Sequence, residues 1–411
     1  MLIAGEASGD LLAAELVRAL KAEYDRRPRI HTTANQPLHA SLAPRFFGAG
    51  GPQMAAAGVE LAFDLTKHSV VGLTAVFRKL PLFRRMLNDL VAFAQAREPD
   101  VIICVDFSGF NRRLAHAIRT RTRGKTGWFH DWRPRIVQLV SPQVWASREG
   151  RVHQVAEDFD LILSIIPFEK DWYARRAPRL RVDFVGHPIL DRYPPPPAAP
   201  SVAPRIDSTE KKTDLAEQPM NVLMLPGSRR SELARHLPVM VGALRMMRTV
   251  FPNLRARMVL ANEGLLAQAK EQGLPQDIEI RIGGLAEALA QATIAIASTG
   301  TVTLECAYFG VPTVALYKTS WFEYVIGKQL VTVRFMAMPN ILADEEVFPE
   351  FIAHTATAGS VARAALELLR SREKRDRIRG RLAEIVKTLG TPGASRRAAQ
   401  AVLSLDLGLM G

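Results

Sequence analysis

Leu2-Ile3-Ala4-Gly5-Glu6-Ala7-Ser8-Gly9-Asp10 opens the chain, and the residues that follow put Ala13, Leu16, Val17 and Leu20 on one helical face. An apolar triplet, a small-residue turn and an amphipathic run predict strand, tight loop, helix. Met1 stands only three residues before the loop, so this first strand is expected to be short. The same unit recurs. Further strands are expected at Arg45–Gly48, Val101–Asp106, Ile136–Val140, Leu161–Ile166 and Val182–Val185, each ending in Gly, Pro, Ser or Asp. Short apolar runs that alternate with helical patterns denote βαβ units and a parallel sheet, whose functional loops leave the carboxyl ends of the strands.

Between Asp191 and Pro219 the alternation stops at Pro194 to Pro197, Pro200 and Pro204. It resumes with expected strands at Val222–Leu225, Met258–Leu260, Glu279–Ile282, Ile294–Ala297 and Thr313–Tyr317. The expected organisation is therefore an α/β protein with two Rossmann-like, doubly wound domains and a cleft between them. The first domain covers 1–190 and the second 220–390, joined by a Pro-rich linker or insertion at 191–219. A closing helix at 391–411, with Ala398, Val402 and Leu405 at i, i+4 and i+7, suits either domain. The length of 411 residues agrees with two domains at about 150 residues or more each. With 48% hydrophobic and 23% charged residues, the composition is globular, which excludes a disordered, collagenous or coiled-coil chain.

Lys and Arg number 54 against 41 Asp and Glu, a net charge of +13, so an acidic partner is expected: nucleic acid, anionic lipid or a phosphorylated substrate. Cys104 and Cys306 are the only cysteines and lie in apolar segments, which leaves no disulfide or zinc framework. There is no signal-peptide pattern and no run of 18 apolar residues, and a cytoplasmic protein that touches a membrane surface is expected.

Several short motifs fail on inspection. Gly48-Ala49-Gly50-Gly51 lacks the final glycine of a dinucleotide fingerprint, and Gly124-Lys125-Thr126 has Arg119 where a P-loop needs glycine. Asp158-Phe159-Asp160 has the D-x-D pattern of a metal–sugar-nucleotide site, but it precedes a strand and so falls at the wrong end of a parallel sheet. A solvated loop is the expected role. No metal and no cofactor are expected.

Leu225-Pro226-Gly227-Ser228-Arg229-Arg230-Ser231-Glu232 is more informative, because it lies directly between a strand and a helix. Gly227 permits close backbone approach, Arg229 offers a two-pronged donor to a phosphate, and a helix N-terminus faces the same space. A turn with a solvent-facing arginine is the alternative. Ala297-Ser298-Thr299-Gly300-Thr301 repeats the arrangement, with Glu305 one helical turn on, where a carboxylate can accept the hydroxyls of a ribose. Two such cradles in one domain fit a nucleoside diphosphate. In the first domain, Asp106 ends a strand and opens the turn Phe107-Ser-Gly-Phe-Asn111, a position that suits a general base or a helix cap. The stretch from Val70 to Arg85 mixes Val70, Val71, Leu73, Val76, Phe77, Leu80, Leu82 and Phe83 with Arg84 and Arg85. It reads as a surface for anionic lipid or as a core helix. Basic clusters at Arg119–Lys125 and Arg370–Arg381 are expected to be solvated helix faces or membrane-facing patches.

Nine blocks in chain order carry a family resemblance: AGEASGD at 4–10, Gly48–Met54 with Gly58-Val59, 99–111 ending in VDFSGFN, SPQVWASR at 141–148, IPFEK at 166–170, VGHP at 185–188, LPGSRRSE at 225–232, 297–305, and MPNILA at 338–343. In these the chain resembles the lipid-A-disaccharide synthases, inverting glycosyltransferases of the two-Rossmann-domain GT-B architecture. The resemblance implies transfer of 2,3-diacylglucosamine from its UDP donor to 2,3-diacylglucosamine 1-phosphate (lipid X), at the inner face of the inner membrane. It implies Asp106 as base and Arg229 as the group that stabilises the departing UDP. Gly227, Ser228, Ser298, Thr299, Gly300 and Thr301 would cradle the diphosphate, Glu305 the ribose, and Asn340 would orient donor groups. Glu6, Ser8, Gly9 and Asp10 would line the acceptor side, and the 70–85 stretch would take acyl chains and the anionic membrane surface. Where the family has a second acidic residue three places after the base, this chain has Gly109, which leaves Asp106 as the one base candidate. A muramyl-type transferase or a UDP-N-acetylglucosamine epimerase is the second reading, and a non-catalytic nucleic-acid-binding protein a remote third. With a UDP donor, a phosphorylated acceptor and an anionic membrane as partners, nucleic acid is not needed to explain the charge.

Overall fold

A computed structural model describes residues 1–26, 43–68, 73–123, 131–193, 220–319 and 331–405. The chain divides into two units, Met1–Asp191 together with Leu389–Gly411, and Arg192–Thr388. The first is built on β1 (Leu2–Ala4), β2 (Phe47–Gly50), β3 (Glu60–Asp64), β4 (Val101–Val105), β5 (Arg135–Leu139), β6 (Leu161–Ser164) and β7 (Arg181–Phe184). These form one parallel sheet in the order β3-β2-β1-β4-β5-β6-β7. The second holds β8 (Asn221–Leu225), β9 (Arg255–Leu260), β10 (Glu279–Ile282), β11 (Ile294–Ser298), β12 (Thr313–Tyr317) and β13 (Glu350–Ile352). Its parallel order is β10-β9-β8-β11-β12-β13. Both are doubly wound α/β sheets, as the alternation predicts.

The apolar strand sequences follow from burial on both faces. In β4, Ile102 and Cys104 enter one core with Leu90, Phe110 and Leu114, while Ile103 and Val105 enter the other with Leu16 and Val17. Full burial of each such aliphatic side chain contributes about 1.5–3 kcal/mol. Cys104 and Cys306 are both free and buried, and burial pushes their thiols up to about 12.

The closing helix Ala394–Leu403 belongs to the first unit. Ala398 and Val402 join the core of Leu16, Val17 and Leu20, and Leu405 packs against it. Arg396 and Gln400 both donate to Glu23, at 3.0 and 2.9 Å, and Arg397 donates to the Val185 carbonyl at 2.8 Å.

Of the 70–85 stretch, the residues from 73 on form the start of a helix, Leu73–Arg97, with Pro81 inside it. Val70 and Val71, and the side chains of Leu73, Val76, Phe77 and Leu80, lie outside the described residues. Leu82 and Phe83 pack half-buried onto the first unit's core, whereas Arg84 and Arg85 are exposed. Phe83 stands 6.3 and 6.2 Å from the rings of Phe107 and Phe110. No helix among the described residues is long and apolar enough to cross a membrane.

The D-x-D aspartates have local structural partners. Asp158 is buried and its carboxylate meets His116 Nδ1 at 3.1 Å, and Asp160 pairs with Arg119 and with Arg135. In the second basic cluster Lys374, Arg377, Arg379 and Arg381 pair with carboxylates on the same helix, on the preceding helix and, at Glu345, in the loop before β13. The Gly124-Lys125-Thr126 and Pro194–Pro197 segments lie outside the described residues.

Candidate active site

Strand order reverses between β1 and β4, so the loops after these two strands leave the carboxyl edge of the first sheet side by side, where doubly wound folds bind ligands. They are in direct contact. A Cβ on Gly5 would lie 2.2 Å from Phe107 Cδ1, so only glycine lets the Phe107 ring close over the β1 turn. Glu6 is half-buried, Ser8 exposed and Gly9 buried beside the Val105 carbonyl.

Asp106 and Phe107 both adopt positive φ, 50° and 43°. For residues other than glycine this costs about 1–3 kcal/mol each and persists where the surroundings hold it. Here the restraints are explicit. The Asp106 N–H donates to the Leu139 carbonyl at 2.9 Å, and its own carbonyl accepts from Asn111 Nδ2 at 2.8 Å and Gln138 Nε2 at 3.0 Å. Asn111 and Gln138 are fully buried. Gln138 Nε2 also reaches the carbonyls of Leu139 and Val140, both at 3.1 Å, and Val140 is itself a β-branched residue at φ 66°. One buried amide thus stitches together two strained turns, while the Asp106 side chain remains partly exposed.

The next loop, after β5, is pinned from β6 and from the helix Glu169–Arg176. Trp145 Nε1 donates to Glu169 Oε1 at 2.8 Å, Ser164 Oγ donates to Glu169 Oε2 at 2.5 Å, and the Tyr173 hydroxyl donates to the Pro142 carbonyl at 3.0 Å. Burial pushes the Glu169 carboxyl up to about 7 against these hydrogen bonds.

In the second unit the reversal lies between β8 and β11, and the loops Pro226–Arg229 and Thr299–Gly300 emerge there together. Gly227 sits at φ 110°, and a Cβ on it would come within 2.4 Å of Glu232 Oε2. That carboxylate accepts from the Ser228 N–H at 3.2 Å and from Arg229 Nη1 at 3.0 Å, and so sets the direction of the guanidinium. His236, fully buried, spans two loops: its Nδ1 meets the Pro226 carbonyl at 2.8 Å and its Nε2 accepts from the Lys318 N–H at 3.0 Å. Accepting at Nε2 makes the Nδ1–H tautomer the donor, and burial holds the imidazole below its usual pKa. Ser298 is buried, Thr299 half-buried, and Gly300 and Thr301 exposed at the start of the helix Thr301–Tyr308. Glu305 accepts the Tyr193 hydroxyl at 2.9 Å, and burial raises its carboxyl. Tyr193, within the expected 191–219 linker, packs on that helix: the Tyr308 hydroxyl donates to its carbonyl at 3.1 Å, and its ring lies 5.8 and 5.1 Å from those of Tyr308 and Phe309.

Two expected ligand contacts have other partners. Asp10 is 2% exposed, and its carboxylate accepts the N–H groups of Gly51, Gln53 and Met54 at 2.8, 2.9 and 3.1 Å. It caps the helix Pro52–Ala56 rather than facing the acceptor loop. Asn340 is fully buried with all four hydrogen-bonding positions filled: Nδ2 donates to the Phe348 carbonyl and Glu350, and Oδ1 accepts from the N–H groups of Val347 and Phe348, within 2.7–2.9 Å. Its amide holds the loop that leads into β13 and has no position left for a donor group. The remaining expected catalytic, donor and acceptor residues fall into two sets, one beside each switch point. Gln138, Glu169, Glu232, Tyr193 and His236 were not singled out from sequence. Among the described residues no three His, Cys, Asp or Glu side chains are grouped to hold a metal ion.

Two doubly wound domains, each with a loop pair at its switch point, are the building blocks of the GT-B architecture. Solved structures share the fold: UDP-GlcNAc 2-epimerase from Neisseria meningitidis bound to UDP-GlcNAc is 9% identical, with a TM-score of 0.56 over 96% of this chain and 97% of that one. The Methanocaldococcus jannaschii UDP-GlcNAc 2-epimerase in complex with UDP-GlcNAc and UDP is 12% identical, with a TM-score of 0.54 over 98% of each chain. Sequence is far more specific. Residues 1–405 match the family described as lipid-A-disaccharide synthetase. The lipid-A-disaccharide synthase of Syntrophus aciditrophicus is 34% identical over 98% of this chain and 97% of that one, and that of Myxococcus xanthus 33% over the same shares. The chain belongs to the lipid-A-disaccharide synthase family.

Proposed function

We propose that the chain carries out its family's reaction with the residues described above: transfer of 2,3-diacylglucosamine from UDP to the 6-hydroxyl of lipid X, giving the β-1,6-linked disaccharide 1-phosphate and UDP. Asp106 takes the proton of the acceptor hydroxyl as that oxygen attacks the anomeric carbon from the face opposite UDP, which inverts the centre. The anomeric C–O bond breaks and its electrons leave on the diphosphate. Arg229, aimed by Glu232, stabilises that charge, a preorganised electrostatic contribution. Gly227, Ser228, Ser298, Thr299, Gly300 and Thr301 supply the cradle, and Glu305, held by Tyr193, receives the ribose. Glu6, Ser8 and Gly9 line the acceptor side, with Asp10 shaping that edge from behind. Residues 70–85 take acyl chains and the anionic inner-membrane surface, to which the protein attaches peripherally from the cytoplasm.

The observation that carries this reading is the Asp106 turn: a strained carboxylate at the switch point of one domain, in a chain whose other domain carries the arginine loop at its own switch point. Asp106→Asn tests it. Turnover should fall by about 10²–10⁴-fold, the size of a general-base contribution, with UDP affinity unchanged. A rate near that of the parent would remove Asp106 from the chemistry.

A further inference from the structure

Four arginines on or beside the helices Ser108–Thr122 and Val152–Asp158 have acidic partners. Arg119 and Arg135 pair with Asp160, Arg123 with Glu157, and Arg176 with Glu149. Four others do not. Among the described residues, no carboxylate oxygen comes within ion-pair distance of Arg112, Arg113, Arg148 or Arg151. The one acid inside the 148–151 segment, Glu149, is engaged by Arg176.

These four guanidinium groups form one cluster. Arg112 and Arg113 lie on the helix Ser108–Thr122 directly after the Asp106 turn, where Arg112 Nε donates to the Ser108 carbonyl at 3.3 Å and Arg113 Nη1 to the Gly109 carbonyl at 2.7 Å. Arg148 and Arg151 bracket the short turn between the Trp145 loop and the helix Val152–Asp158, and the Arg151 N–H donates to the Arg148 carbonyl at 3.0 Å. His116 and Asp158 link the two helices one turn further on. Arg148 holds a left-handed backbone, φ 62°, which a residue with a side chain adopts at a cost. Burial, and then the like charges of Arg151, Arg113 and Arg148, hold the Arg112 guanidinium below the usual arginine range, and Arg151 is lowered by burial and by Arg148 and Arg113. Four like charges kept together without a counter-charge are the signature of a site whose counter-charge is a ligand.

We propose that Arg112, Arg113, Arg148 and Arg151 bind a phosphomonoester, and that in the reaction proposed above, on which this inference rests, it is the 1-phosphate of the acceptor. The reach fits. Arg112 and Arg113 fold back along the helix onto the carbonyls of Ser108 and Gly109, the residues that follow the Asp106 turn, so the cluster lies at the same end of the helix as Asp106. A phosphate held there presents the opposite end of the same sugar, its 6-hydroxyl, to Asp106. Arginine suits the task because its fork matches phosphate oxygens two at a time.

The test uses two double variants of the full chain, R112Q/R151Q and R113Q/R148Q; the second alters only exposed side chains, so it keeps the fold. Binding of 2,3-diacylglucosamine 1-phosphate and of 2,3-diacylglucosamine is measured in neutral detergent without donor, followed by turnover with each acceptor. The parent should prefer the phosphorylated lipid, and each variant should lose about 10- to 100-fold of that preference while KM for the UDP donor stays constant. Equal loss for both acceptors, or no loss, overturns the proposal. So does a defect confined to binding of vesicles containing phosphatidylglycerol, with the acceptor preference intact, which would make the cluster a membrane contact. Phosphate-dependent binding that needs the arginines but yields no disaccharide would refute the reaction and leave the site standing. Disaccharide formation indifferent to the arginines would do the reverse.

Discussion

Glu169→Gln should stabilise the protein at alkaline pH and do little in acid. Glu169 is 1% exposed, and burial raises its carboxyl from 4.5 to about 7. Because the folded form keeps a proton that the unfolded chain has released, this group's contribution is complete below the unfolded value and declines as pH rises through about 7. One pKa unit corresponds to about 1.4 kcal/mol, so above pH 8 the ionised buried carboxylate costs about 3 kcal/mol relative to its neutral form. Glutamine keeps an oxygen to accept the Trp145 N–H and offers an N–H to Ser164 Oγ, whose own proton can go to the Ile166 carbonyl at 2.8 Å. The variant should therefore melt within a degree or two of the parent near pH 4 and about 6–12 °C higher near pH 8.5, at 2–4 °C per kcal/mol for a domain of this size. Thermal unfolding followed by tryptophan fluorescence from pH 4 to 9 provides the comparison. A difference that stays constant over the whole range would show that Glu169 does not titrate there and would refute the reasoning.

Two other substitutions probe buried amides, one beneath the Asp106 turn and one in the loop that leads into β13. Gln138→Met removes the amide that holds the Asp106 and Val140 turns, and should lower kcat by about 100-fold while UDP affinity, a property of the other domain, is unchanged; an unaltered kcat would deny it a positioning role. Asn340→Ala leaves the N–H groups of Val347 and Phe348 and the Phe348 carbonyl without their partner and should cost about 3–5 kcal/mol in denaturant unfolding, whereas a loss below about 1 kcal/mol would mean that the loop finds other partners.

The central strands were legible because burial on both faces makes them continuous apolar runs, as in Val101–Val105 and Ile294–Ser298. Two of the four edge strands were not. Glu60–Asp64 and Glu350–Ile352 are short and keep polar residues, since an edge has one neighbour and partial exposure, and neither was expected. Phe47–Gly50 began two residues later than expected because its glycines look like a turn; a Cβ on Gly48 would lie 1.8 Å from the Leu2 carbonyl oxygen, so that glycine marks close strand packing. The positions of Asp106 and Arg229 in loops at the carboxyl ends of strands were legible from the alternation of strand and helix patterns. Their supports act over long separations. Gln138 reaches Asp106 across 32 residues, His236 reaches Lys318 across 82 and Tyr193 reaches Glu305 across 112, and no local pattern encodes such partners. Asp10 and Asn340 show the converse: polar residues inside motif blocks whose hydrogen bonds build the loops around the ligand.

The most direct measurement is the reaction itself. Purified protein is incubated with UDP-2,3-diacylglucosamine and lipid X in detergent, and products are read by mass spectrometry, with the linkage read by NMR. The account predicts a β-1,6-linked disaccharide 1-phosphate and one UDP for each disaccharide formed. Intact substrates after prolonged incubation, or UDP released without a disaccharide, would contradict it.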